Sequence, residues 1–272
     1  MKKAAVINDF SGFGRCSLSV ALPVLSVCGV QCCSIPTAVF TNHTGYPSFR
    51  KEDLTDFLPD FIREWQKLSL SFDAIATGYL SSPGQVAFSE AFIKRFFSGA
   101  KIVVDPVMGD NGRLYNGFSP ETAQRLGELV CFADIITPNL TEACILTDMD
   151  YEPNPSNDKL REIGKKISEF SFADIVITGI EADGVIKNVI ITKNSFDEYA
   201  TVKTAPTRSG TGDLFSSVIT VCAAKGIPLE RGVKIAADFV KEAAEISEAE
   251  HIPPTDGAAF EPILHKLPKL FD

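Results

Sequence analysis

The feature that most constrains this chain is a regular alternation of short apolar runs with longer segments of helical spacing. The apolar runs read as strands at Ala4–Asp9, Gln31–Val39, Phe72–Thr77, Lys101–Asp105, Asp134–Thr137 and Asp174–Thr178. Helical patterns fall between them, at about Cys16–Cys28, Asp53–Leu68, Pro83–Phe97, Pro120–Val130, Thr141–Thr147 and Asn157–Phe170. Such alternation predicts a mostly parallel sheet covered by helices on both faces, a three-layer α/β/α fold. Gly184–Thr192 and Ser195–Lys203 then read as two strands turning near Lys193-Asn194. A connection that short forces antiparallel pairing, because a parallel crossover needs a dozen or more residues. Two helices, about Gly212–Ala224 and Leu229–Ile246, are expected to close the chain. With no internal repeat and no long linker, the pattern predicts one domain over residues 1–272.

Composition narrows the partners. The net charge of −9 argues against nucleic acid or an anionic membrane as the main target. It leaves an anionic nucleotide open, since a pocket sets its own local field. No run approaches the roughly 20 apolar residues of a membrane span, and Met1-Lys2-Lys3 precedes too short an apolar stretch for a signal peptide. A cytoplasmic protein is expected. The seven cysteines lack paired spacing and read as small buried thiols in a reducing compartment. His43, His251 and His265 stand far from any cysteine cluster, which argues against zinc.

Polar or unusual residues recur where the strands end: Asp9, Thr41–Thr44, Gly78-Tyr79, Asp105-Pro106, Pro138-Asn139 and Gly179. Open parallel sheets bind ligands beyond the carboxyl ends of their strands, so this placement predicts a cleft along one edge. The strongest local feature is Ser209-Gly210-Thr211-Gly212-Asp213, immediately before a helix whose apolar face carries Leu214, Phe215, Val218 and Ile219. Glycines let several backbone N–H groups converge, and a helix start adds partial positive charge. Asp213 stands in the first turn, where it reads either as an ordinary first-turn acid or as a base beside a phosphate hole.

The motifs along the chain favour the second reading. They are Asn42-His43-Thr44-Gly45-Tyr46, Thr77-Gly78-Tyr79, Asp105-Pro106-Val107-Met108-Gly109-Asp110, Thr137-Pro138-Asn139-Leu140-Thr141-Glu142 and Gly210-Thr211-Gly212-Asp213. With them the sequence resembles the ribokinase superfamily, and within it the pyridoxal kinases, from Ala5 to about Ala224. The resemblance implies a ribokinase-like fold and ATP-dependent phosphorylation of the hydroxymethyl group of a vitamin B6 vitamer. It implies Asp213 as catalytic base and the backbone of Gly210, Thr211 and Gly212 as anion hole. Asp9, Thr44 and Tyr79 fall at the substrate ring. Asp110, Tyr115, Asn139, Thr178 and Thr211 fall at ATP, with Tyr115 on the glycine-rich Gly109–Gly117 segment, expected to be a mobile flap. Asp105, Asn139 and Glu142 would serve Mg2+ largely through water, and Thr137 a K+ ion. A homodimer is also implied.

Asn8-Asp9-Phe10 departs from the pyridoxal kinase pattern, which usually has serine where Asp9 stands. An acid there resembles the hydroxymethylpyrimidine kinases, the nearest alternative, and suits a protonated amine on the ring. Sugar or nucleoside kinases come next. A Rossmann oxidoreductase, suggested by Gly12-Phe13-Gly14, lacks the third glycine because Ser17 stands there. A catalytically silent vitamin-binding protein would more naturally have lost Asp213 or its glycines.

Overall fold

The computed structural model describes residues 1–116 and 118–271. Its main sheet contains β1 (Lys2–Ser11), β2 (Val30–Phe40), β3 (Lys51–Asp53), β4 (Ala74–Thr77), β5 (Lys101–Val104), β8 (Ile135–Ile136), β9 (Asp174–Ala182), β10 (Val185–Ile191) and β11 (Phe196–Val202). A separate small hairpin joins β6 (Gly109–Asp110) to β7 (Arg113–Leu114). Helices α1 (Ser17–Val27), α7 (Thr211–Lys225) and α8 (Leu229–Ala249) cover one face. The other carries α2 (Leu58–Lys67), α3 (Pro83–Phe96), α4 (Pro120–Val130), α5 (Leu140–Thr147) and α6 (Asn157–Ser168). This is the three-layer arrangement expected from the sequence.

The strand order is β11-β10-β9-β8-β5-β4-β1-β2-β3. Strands β2, β1, β4, β5, β8 and β9 run parallel, while β3, β10 and β11 pair antiparallel. The order is not that of a dinucleotide-binding Rossmann sheet. It reverses direction between β1 and β4, and crevices for ligands open at such a switch point.

Side-chain alternation then decides what enters that crevice. Ala4 and Val6 pack with α1, α7 and α8, whereas Ala5 and Ile7 pack on the opposite face. Asn8 continues the first set, and Asp105 continues that of Val103, so both turn toward α7. The opposite face is anchored by an aromatic cluster in which Phe92 meets Trp65, Phe72, Phe88 and Phe96.

Several boundaries differ from expectation. The residue expected to open a helix, Asp53, instead ends β3, and α2 begins five residues later with Pro59 in its first turn. Strand β9 continues past Thr178 because Thr178 and Gly179 bulge opposite Asn188, with Gly179 at φ +68° and its amide on the Asn188 Oδ1. The chain does not close on two helices: 3-10 turns at Pro254–Asp256 and Glu261–Lys266 and the short α9 (Leu267–Leu270) follow, a proline-punctuated tail. The glycine-rich segment contains the β6–β7 hairpin; Gly117 lies outside the described residues. Of the cysteines, Cys16, Cys28, Cys144 and Cys222 are buried, but Cys131 is exposed.

Phe92 is fully buried among large rings, so Phe92→Ala should lower unfolding free energy by about 3–5 kcal/mol. Denaturant titration checks this, and a change under 1 kcal/mol would contradict the packing described.

Candidate active site

The site starts with a close approach of backbone to backbone. Gly210 has φ +74°, and a Cβ there would fall 1.7 Å from the Arg15 carbonyl oxygen. Only glycine fits, on both counts. The loop before it is held by Ser209 N–H on the Pro254 carbonyl (3.1 Å) and by buried Arg208, which reaches the Ile252 carbonyl (2.6 Å) and Glu248 (2.7 Å). Helix α7 begins at Thr211 without a side-chain cap, and the Thr211 hydroxyl turns back to the Arg208 carbonyl at 3.1 Å. The first-turn amides of Thr211, Gly212 and Asp213 therefore lack intrahelical acceptors and face outward at the positive end of a four-turn helix. Gly212 needs no positive φ, and a Cβ there would meet nothing. Glycine inside a helix costs about 1 kcal/mol relative to alanine; what it provides here is open space before those amides.

Asp213 stands between this turn and the switch point. Its Oδ1 accepts from Asn8 Nδ2 at 3.1 Å. Burial raises its carboxyl above the usual range, while the Ser17 amide, the Asn8 amide and nearby His43 pull it down. Asp9, at a register shift in β1, is 5 % exposed, and its oxygens accept from Ser17 Oγ (2.5 Å) and Ser11 Oγ (3.3 Å). Burial, reinforced by Asp213, pushes the Asp9 carboxyl up to about 7. His43 Nδ1 accepts the Gly45 amide at 3.2 Å, and burial lowers its basicity. Tyr79 is half-buried beside Phe118, and its amide donates to Asn8 Oδ1 at 2.8 Å.

A second group of acids lies beyond β5 and β8. Asp105 is buried, and burial together with Asp213 raises it to about 8. Glu142 is raised by burial and by Asp105. Its oxygens accept the Met108 amide (3.1 Å) and the Asn139 amide (2.8 Å), while the Asn139 side chain accepts the Glu142 amide, a complete capping box on α5. Asn139 Nδ2 also donates to the Gly109 carbonyl at 2.8 Å, and Gly112 N–H to Thr141 Oγ1 at 2.9 Å, which ties the β6–β7 hairpin to α5. Asp110 and Tyr115 are exposed on that hairpin segment. Two neighbouring buried carboxylates, with Asp105 raising Glu142, suit a divalent cation. Asp105 fits a direct or water-linked role; Glu142, whose oxygens already take two amides, fits an outer one. The buried Thr137 Oγ1 has no partner among the described residues, which suits a monovalent cation.

In front of the amides a cavity of about 130 Å³ opens between β9–β11 and α8, lined by Thr178, Val202, Thr211, Gly212, Phe215 and Val240. Its lining is mostly apolar and it meets the helix start at Thr211 and Gly212, a combination that suits an apolar group carrying an anion.

Comparison with known proteins gives the family. The profile of the phosphomethylpyrimidine kinase family matches residues 21–257. The chain belongs to that family. It is 30% identical, over 72% of its length, to a Schizosaccharomyces pombe protein provisionally named a pyridoxal kinase, and spans 65% of that relative. A Bacteroides thetaiotaomicron protein provisionally named a phosphomethylpyrimidine kinase, crystallised with pyridoxal, superimposes with a TM-score of 0.92 at 37% identity, covering 98% of this chain and 95% of that one. Pyridoxal kinase from Lactobacillus plantarum gives 0.93 at 27% identity, covering 100% and 98%. The fold is thus the ribokinase-like one of pyridoxal kinases.

Of the family residues read from the sequence, Asp9, Asp105 and Asp213 gather around the start of α7, with Asn139 and Glu142 beyond Asp105. Thr178, Thr211 and Gly212 share the cavity. Thr44 is exposed on the loop after β2, next to His43, which acts on Asp213. Sequence reasoning assigned no role to Asn8, Ser17 or the apolar walls of the cavity. Asn8 had a signal, its place beside Asp9 at a strand end; Val202 and Val240 had none, being ordinary apolar residues far apart in the chain.

Between its ordinary value of 3.8 and about 7, Asp9 keeps a proton in the folded chain that the unfolded chain has lost. Stability therefore falls as pH rises through that window, and the penalty is complete above 7. Asp9→Asn should be more stable than wild type at pH 8, with the difference shrinking at pH 5. Calorimetry at both pH values checks this; a pH-independent difference would contradict the burial assigned to Asp9.

Proposed function

We propose that the chain is an ATP-dependent kinase that phosphorylates the 5'-hydroxymethyl group of a vitamin B6 vitamer. The observation that carries this reading is the uncapped glycine turn of α7, with Asp213 in its first turn and open space before its amides. The apolar cavity takes the nucleoside, and the amides of Thr211, Gly212 and Asp213 face the transferring phosphoryl group. The ring lies at the β1–β4 switch point, near Asp9 and Tyr79. Pyridoxal in the Bacteroides crystals supports a B6-type ring.

Asp213 accepts the proton of the hydroxymethyl group as its oxygen attacks the γ-phosphorus in line. The bond from that phosphorus to the bridging oxygen breaks, and ADP departs. Positioning and charge stabilisation by the helix amides supply most of the acceleration. Burial raises the proton affinity of the Asp213 carboxylate, which favours proton acceptance, while the Asn8 and Ser17 amides hydrogen-bond its ionised form. Magnesium held at Asp105, with Glu142 and Asn139 behind it, would neutralise phosphate charge, and Thr137 would serve a potassium ion. The homodimer and cytoplasmic location belong to the same reading.

Hydroxymethylpyrimidine kinase activity is a second reading, favoured by Asp9 and by the family matched.

Two measurements test the proposal. ADP release with pyridoxal, pyridoxamine, pyridoxine and hydroxymethylpyrimidine should be fastest with a B6 vitamer; release with the pyrimidine alone would replace the first reading with the second. Asp213→Asn should lower kcat by on the order of 10²- to 10⁴-fold with little change in KM, and wild-type turnover in that variant would remove Asp213 from the chemistry.

A further inference from the structure

Asn8 is the residue whose hydrogen bonding the proposed chemistry has not yet used in full. It is 5 % exposed, on the face of β1 that meets α7. Its Oδ1 accepts two backbone amides, that of Asp9 at 2.9 Å and that of Tyr79 at 2.8 Å. Two donors converging on one end of a carboxamide fix which end is oxygen. The Nδ2 end is therefore a donor by necessity, and it meets Asp213 Oδ1 at 3.1 Å. The adjoining wall is made to match: a Cβ at Gly78 would fall 2.3 Å from Nδ2. Gly78 does not have a positive φ, so backbone conformation does not demand glycine there. The close approach of the Asn8 amide does.

We propose that Asn8 is a positioning residue that orients the Asp213 carboxylate for proton abstraction and locks its direction to the ring-side backbone at Tyr79. The inference rests on the reading of Asp213 as the base. Through one amide, the strand end that receives the ring and the helix turn that receives the phosphoryl group share a single hydrogen-bonded link, so the acceptor alcohol and its base are referenced to the same atoms. Misplacement of a reacting group by about 1 Å can cost on the order of 10²-fold in rate, which is the scale on which this link acts. The groups facing Asp213 are Asp9 from β1, Ser17 from α1, His43 from the loop after β2 and Asp105 beyond β5. Ser17 donates its backbone N–H to the carboxylate, and Asn8 supplies the side-chain donor that links it to the ring-side backbone.

Asn8→Asp separates positioning from mere scaffolding. The introduced carboxyl has the same shape and still accepts the Asp9 and Tyr79 amides, but it replaces the fixed N–H donor facing Asp213 by a carboxyl that either repels the base or ties it up in a shared proton. Gly78→Ala reaches the same link from the other side, displacing the amide without altering Asn8 or Asp213. Both variants, together with wild type and Asp213→Asn, are compared for kcat and KM with the best vitamer and ATP, and for Tm. The expected result is a roughly 10- to 100-fold fall in kcat for Asn8→Asp and Gly78→Ala, KM for ATP within about twofold, and Asn8→Asp unfolding within a few degrees of wild type. If kcat stays within about threefold in both variants while Asp213→Asn is inactive, Asn8 is only a scaffold and the inference fails. If wild type itself transfers no phosphoryl group, it is the proposed function that fails instead.

Discussion

The contact between Gly210 and the Arg15 carbonyl oxygen is the constraint on which the site depends. A side chain at position 210 would overlap that oxygen, so the start of α7 lies against the turn between β1 and α1 only because glycine is there. That approach brings Asp213 within reach of Asn8 and Ser17. It also brings the turn against the C-terminal tail, where the Arg15 amide bonds to the Asp256 carbonyl and the Ser209 amide to that of Pro254. Tyr46 of the loop after β2 hydrogen-bonds the Asp256 side chain. Loop, helix start and tail thus meet at one junction, and the proposed ring and phosphate sites would be built on common supports.

Electrostatics gives the junction its chemical character. Asp9, Asp105, Asp213 and Glu142 all have raised proton affinity, and burial is the leading cause for each. Concentrating buried acids is unfavourable for folding. The structure offsets this locally: serine hydroxyls serve Asp9, a carboxamide and an amide serve Asp213, and two backbone amides serve Glu142. Asp105 has the fewest protein donors, and it lies where a cation would be most favourable. Beside the acids stands an uncapped helix start, which prefers an anion. A metal-bound polyphosphate would satisfy both demands at once, so the proposed nucleotide is compatible with a chain of net charge −9.

The two β-bulges are the other local devices. At Asp9 the register with β2 slips and Asn8 takes the freed Asp9 amide. At Thr178-Gly179 the register with β10 slips and Asn188 takes the Gly179 amide. In both places an asparagine side chain replaces a ladder bond at the carboxyl edge of the sheet, so the strand continues while its functional face is re-aimed.

The sequence by itself determined the layered fold, the succession of its main strands and helices along the chain, and the motif at the start of α7, because these follow from local periodicity and from residue types with narrow backbone roles. It also marked Asp105, Asn139 and Asp213 by their places at strand ends and a helix start, while Glu142 was reached through the family resemblance. Only the tertiary structure decided the strand order with its reversal between β1 and β4, which depends on packing between residues distant in the chain. Only it could show that Asn8 faces Asp213 across about two hundred positions, that Asp9 spends its oxygens on Ser11 and Ser17, and that unremarkable apolar residues of β11 and α8 form a cavity. Hydrogen-bond partnership and cavity shape arise from three-dimensional adjacency, and neither leaves a period or a composition in the sequence from which it can be read.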